Sequence, residues 1–132
     1  MKVFVDSNIP MYAAGAPHPH KDPCLRFLGR VQRGEIHAVT RTEVLQEILH
    51  RYHRLGLPEV AGTVYALMVQ LCAEVLPVTL ADTDRCLDLL REHGGSVRDA
   101  LHAAVMLTNE MEGVATSDMG FDAYGVRFWS LD

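Results

Sequence analysis

Short apolar runs rich in β-branched and aromatic residues alternate along this chain with stretches of helical period, and that alternation restricts the fold more than any other feature. Residues 3–5, 35–39, 74–78, 112–116 and 126–129 read as five short strands. Between them, apolar residues recur at helical spacing over 9–14, 22–33, from Thr40 or Arg41 to Tyr52, 59–72, 81–93 and from Val97 past Met106. Strands separated by helices pair in parallel, and right-handed crossovers place helices on both faces of the sheet. The predicted fold is therefore α/β, a three-layer α/β/α sandwich around a mainly parallel sheet of about five strands. At 132 residues, 48% of them hydrophobic, the chain has the size and apolar content of a single domain spanning 1–132.

Pro77 is expected to hold the third strand at a sheet edge. For both faces of the sheet to be buried, the chain must wind outward from strand one and return to its other side. Strand one then becomes the point where the winding reverses, and ligands in such sheets bind beyond the carboxyl ends of the strands there. Asp6 ends that strand, followed by the turn-forming Ser7 and Asn8. From this stretch alone it reads equally as a helix N-cap or as an acid in the binding crevice. The predicted winding brings Asp118, past the fourth strand, out beside it.

No apolar run approaches the roughly 20 residues of a membrane span, and the N-terminus shows a strand pattern in place of a basic, then apolar, secretory leader. A cytoplasmic protein without a membrane partner is expected. Cys24, Cys72 and Cys86 are three cysteines without a CxxC pair, and they read as reduced, buried thiols. A formal charge of −5 argues against a broadly basic, DNA-coating surface. Arg26, Arg30, Arg33, Arg41, Arg51 and Arg54 cluster early in the chain, as solvated helix faces or as a local rim for phosphates. His18 and His20 lie in a Pro-rich loop and read as plain surface.

Asp6, Glu47, Asp99 and Asp118 come from four separate parts of the chain, each at or near a strand end or in the early turns of a helix. In one crevice such carboxylates repel one another unless a cation compensates them. All-oxygen ligands without cysteine or clustered histidine favour Mg²⁺ or Mn²⁺ over Zn²⁺, and metal-assisted phosphoryl transfer or hydrolysis is the corresponding reaction class. Glu43 competes with Glu47 as the second acid. Thr40-x-x-Glu43 has capping-box spacing, which would give Glu43 a structural task, and Glu47 is preferred.

Four segments resemble, in order, the motifs of PIN-domain ribonucleases. Val3-Phe4-Val5-Asp6-Ser7-Asn8 is similar to their opening strand and signature, and Leu45-Gln46-Glu47-Ile48-Leu49 to their second motif. Arg98-Asp99-Ala100-Leu101-His102-Ala103-Ala104 is similar to the third motif, and Thr116-Ser117-Asp118-Met119-Gly120-Phe121-Asp122 to the fourth. The resemblance implies a Mg²⁺- or Mn²⁺-dependent endoribonuclease acting on RNA. For a chain of this size it further implies a VapC-type toxin that forms a homodimer and is blocked by a small antitoxin protein. By the same carry-over Asp6, Glu47, Asp99 and Asp118 would hold the metal, with Asp122 as an accessory acid and Asn8 fixing the Asp6 carboxylate or a bound water.

The alternative is a catalytically inactive PIN-like module that binds RNA or protein, against which the intact acidic quartet argues. A response-regulator receiver would need a late lysine, whereas Lys2 and Lys21 are the only lysines. A haloacid-dehalogenase phosphatase would need an Asp-x-Asp pair where this chain has Asp6-Ser7-Asn8.

Overall fold

A computed structural model of the chain describes residues 2–117. Four strands, β1 (Lys2–Val5), β2 (His37–Arg41), β3 (Glu74–Leu76) and β4 (Gly113–Ala115), form one parallel sheet in the order β3-β2-β1-β4. Each crossover carries two helices. These are α1 (Asn8–Ala14) and α2 (Lys21–Gln32), then α3 (Thr42–Arg54) and α4 (Pro58–Leu71), then α5 (Leu80–His93) and α6 (Val97–Thr108).

The chain steps outward from β1 to β3, then crosses back to pair β4 with the other side of β1. Because the direction reverses, right-handed crossovers place the first two helix pairs on one face and the last pair on the other. The packing divides the same way. Helix α1 packs on α2 and α4, α3 packs on α4, and α5 packs on α6. The sheet is covered on both sides, so Val3, Phe4 and Val5 are all buried although they alternate in direction. The α/β, mainly parallel expectation thus matches the fold, with β1 at the reversal and β3 at an edge. The fifth expected strand, 126–129, lies outside the described residues.

Element boundaries differ from expectation in instructive places. Strand β2 runs His37–Arg41, two residues later than predicted, because Glu35 is exposed in the preceding turn, where its carboxylate pairs with Arg33 at 2.6 Å. The shift makes Thr40 a strand residue whose hydroxyl donates to the Val5 carbonyl across β1 and β2 at 3.1 Å. Thr40 therefore caps nothing. The N-cap of α3 is Arg41, without a side-chain cap bond, and the expected Thr40–Glu43 capping box does not form.

A capping box does form at Thr79, where Oγ1 accepts from the Asp82 amide and Asp82 accepts from the Thr79 amide, at 3.2 and 3.0 Å. Replacing Thr79 with alanine leaves the first-turn amides of α5 short of an acceptor and is expected to lower the unfolding free energy by about 1 kcal/mol. Urea denaturation of wild type and variant measures this directly. All three cysteines are free and buried, as expected, and desolvation pushes the Cys24 and Cys72 thiols up to about 11 and about 12.

Candidate active site

Parallel pairing of β1 with β4 aligns Val5 with Ala115, so Asp6 and Thr116 leave the sheet side by side. Asp6 is fully buried. Its Oδ1 accepts from the Ser7 amide at 2.7 Å and from Arg98 Nη2, and its Oδ2 accepts from the Thr116 hydroxyl at 2.7 Å. Asn8 spans the two strand ends, donating to Thr116 Oγ1 at 3.0 Å and accepting from the Ser117 amide at 3.2 Å, with a long contact to Asp6 Oδ2 at 3.5 Å. The N-cap of α1 is Ser7, and the Asp6 carboxylate turns toward β4 and α6. The N-cap reading of Asp6 is overturned.

Opposite Asp6, Glu47 projects from the second turn of α3 and Asp99 from the first turn of α6. Ser96 caps α6 by accepting from the Asp99 amide at 3.1 Å, which orients that turn. Between the three acids lies Arg98. Its Nε donates to Glu47 Oε1 at 2.5 Å, Nη2 donates to Glu47 Oε2 at 3.1 Å and to Asp6 Oδ1, and Nη1 donates to Asp99 Oδ1 at 2.9 Å. One guanidinium joins carboxylates from a strand end and two helices.

The electrostatics follow from burial and from this fork. Desolvation outweighs the Arg98 charge and the Thr116 and Ser7 hydrogen bonds at Asp6, so its pKa is raised. At Glu47 desolvation also pushes upward, but the hydrogen bond and charge of Arg98 prevail and hold the carboxyl below its ordinary range.

 

The side chain of Glu47 is 32% exposed and that of Arg98 34%, so the fork is reachable from solvent. A cleft of about 340 Å³ opens beside it, lined by Glu43, Gln46, Glu47, His50, Arg98 and His102. Four of these residues form an i, i+3, i+4, i+7 stripe along α3. Glu43 thus faces the same cleft as Glu47, one turn away, but it is Glu47 that Arg98 grips.

His102, one turn beyond Asp99 on α6, packs its ring on Phe4 with centroids 5.0 Å apart. Asp6, Glu47 and His102 present ligand atoms within 4.8 Å of one another, and among the described residues this is the one group with the spacing of a metal site. The donor set fits a divalent ion, being two carboxylates and an imidazole with a third carboxylate, Asp99, joined through Arg98. Asp118 and Asp122 lie outside the described residues.

Burial, with the Arg41 and Arg98 charges, drives the His102 pKa down to about 2, so the imidazole is neutral when folded. A lowered folded pKa contributes stability above the ordinary histidine value of 6.5, and that stability is lost as pH falls below it. The contribution of His102 is expected to decline by about 1.4 kcal/mol per pH unit there. His102→Gln should flatten the acid limb of the stability curve, and the wild-type His102 ring should not titrate by NMR between pH 8 and pH 5.

Sequence reasoning singled out the acids but gave no role to Arg98, His102 or Thr116, which lay inside the quoted motifs. A cation directly preceding Asp99, and a histidine three residues after it on the same helix face, were the available signals. It also grouped Arg41 with a possible phosphate rim. Arg41 is fully buried, donating Nη1 to the Leu101 carbonyl of α6 at 3.0 Å, whereas Arg26, Arg33, Arg51 and Arg54 are exposed. His18 and His20 lie on the surface and stack with Tyr12 and with each other.

A profile of the PIN domain matches residues 3–126. The chain is 42% identical over 123 residues to Ribonuclease VapC13 of Mycobacterium tuberculosis, covering 92% of this chain and 94% of that protein. Ribonuclease VapC23 of the same species is 32% identical over 117 residues, covering 88% and 92%. Among solved structures, the sarcin-ricin loop cleaving toxin VapC20 of Mycobacterium tuberculosis superposes with a TM-score of 0.78 at 20% identity, covering 97% of this chain and 98% of that one. VapBC2 from Rickettsia felis, bound to a DNA fragment from their promoter, gives 0.73 at 17% identity, covering 97% and 96%.

Proposed function

The chain belongs to the PIN-domain family, and from that premise we propose that it is a Mg²⁺- or Mn²⁺-dependent endoribonuclease, the toxin of a toxin–antitoxin pair. The observation that carries this reading is the convergence of Asp6, Glu47 and Asp99 on one point beside an open cleft. Similarity to named VapC ribonucleases over nearly the whole chain supports the reaction and the toxin role.

Asp6, Glu47 and Asp99, with Asp118, are the residues proposed to hold the ion, and Asp122 is an accessory acid. Asn8 and Thr116 fix the Asp6 carboxylate by bonding its Oδ2 and each other. A divalent ion held there supplies Lewis-acid activation of water and neutralises charge on the scissile phosphate. Glu43 lies on the cleft wall, where it shapes the approach to the acids. His102 fills the floor beneath Asp6 as a neutral ring, so it adds no positive charge to the ligand set. A small antitoxin protein and a second copy of the chain complete the proposed partners, with the cytoplasm as the site of action. No helix among the described residues is long and apolar enough to cross a membrane.

The test is cleavage of end-labelled RNA by purified protein in Mg²⁺, Mn²⁺ or EDTA. Internal cuts that depend on the ion are expected. Cutting undiminished in EDTA would remove the metal from the reading, and RNA binding without cutting under all three conditions would favour a binding module.

A further inference from the structure

Asp6 has almost no acceptor capacity left. Its Oδ2 takes the Thr116 hydroxyl at 2.7 Å, and its Oδ1 takes the Ser7 amide at 2.7 Å together with Arg98 Nη2. The Ser7 and Thr116 donors are fixed by the backbone of β1 and β4, at the centre of the fold. Arg98 is the donor on a long side chain. Its Nη2 bridges Asp6 Oδ1 and Glu47 Oε2, two oxygens from facing elements that a single ion coordinated by both carboxylates would also use.

From this geometry we infer that Arg98 is the resident counter-ion of the acidic cluster and must leave Asp6 and Glu47 for a divalent ion to bind, so that it sets the protein's affinity for the ion. The inference rests on the proposed metal-dependent reading and adds a competitor to it. Arg98 balances carboxylates that would otherwise repel one another in the ion-free protein. The bond from Nη1 to Asp99 Oδ1 at 2.9 Å joins neighbouring residues of α6 and can persist while the other end of the fork swings out. A guanidinium so released stands at the cleft mouth, where a planar, bidentate cation suits an RNA phosphate.

The experiment titrates Mn²⁺ into the full chain by calorimetry, comparing wild type with Arg98→Met and Arg98→Lys. Arg98→Met is expected to bind Mn²⁺ at least ~10-fold more tightly, because a unit positive charge has been removed from contact with three of the proposed ligands. It should also melt below wild type without metal and recover at saturating Mn²⁺. Arg98→Lys, whose point charge cannot make the fork, should lie between the two. In wild type, the Arg98 Nε–H resonance should shift on saturation with Mg²⁺, a readout that stands even if a variant fails to fold. Unchanged or weaker Mn²⁺ binding in both variants, or an Nε–H signal unmoved while Mg²⁺ binds, would overturn displacement and leave the metal-dependent reading intact. Failure of wild type and variants alike to bind either ion would overturn that reading, and this inference with it.

Discussion

Asp6→Asn is expected to reduce RNA cleavage far beyond the roughly 10–100-fold that losing a residue merely supporting a ligand costs, while the chain still folds. Asparagine keeps the shape of the side chain and one carbonyl oxygen, but it removes the charge that an ion would require. The fold is expected to tolerate this change. Burial raises the Asp6 pKa in the folded protein, so its favourable contribution is complete below the ordinary carboxylate value of 3.8 and is lost as pH rises through the elevated folded value. At neutral pH, well above the ordinary carboxylate value, the buried acid therefore opposes folding, and metal-free Asp6→Asn should melt at or above wild type. Arg98 retains Glu47 and Asp99 in that variant. Cleavage of labelled RNA and thermal melts in EDTA provide the two measurements. A variant that cuts normally would remove Asp6 from the chemistry, and one that unfolds would assign it a structural role.

The second large effect separates two acids on one helix. Glu47→Gln is expected to lower cleavage by well over ~10-fold, and Glu43→Gln by only a few-fold. Both side chains face the cleft, but Glu47 takes two bonds from the Arg98 fork and shares a ligand-spaced group with Asp6 and His102. Glu43 is in neither set. The reverse order of effects would transfer the second acid to Glu43. Because the carboxyl of Glu47 lies below its ordinary range when folded, it contributes stability above that range which disappears as pH falls through the depressed value. Glu47→Gln should therefore be less stable than wild type at neutral pH, the opposite of Asp6→Asn, and the two melts together test the assigned charge states.

The sheet was legible in the sequence because its strands are short apolar runs bounded by turn residues and its helices carry clear apolar faces. The third strand does lie at the edge, although it ends at Leu76, just before Pro77, and the return of the chain past β1 placed Asp6 at the reversal of winding. What local pattern could not supply was the partner of each polar side chain. Thr40 and Glu43 have the spacing of a capping box, yet the Thr40 hydroxyl bonds Val5, 35 residues away in sequence, because strand pairing rather than helix capping claims it. Arg41 looks like its exposed neighbours in the sequence, but the last position of β2 turns it under α6. Arg98 brings together residues 51 and 92 positions distant, and no window along the chain contains both. The acids were visible as residue types at strand and helix ends. The cation among them was visible only once β1, α3 and α6 were in place.

The order β3-β2-β1-β4 also determines when the chain acquires its chemistry during synthesis. Asp6 is among the first residues to leave the ribosome, yet the Thr116 hydroxyl that holds it belongs to the end of β4, and Asp99 and Arg98 precede that strand by only a helix. The outer crossovers can form while the rest is still being made, since chains fold largely from the N-terminus as they emerge. The full set of bonds to Asp6 cannot. A nascent chain halted before β4 would carry β1 with one edge unpaired and an Asp6 carboxylate without its Thr116 donor. The surroundings of Asp6 are thus completed only with β4, the last of the described strands in chain order.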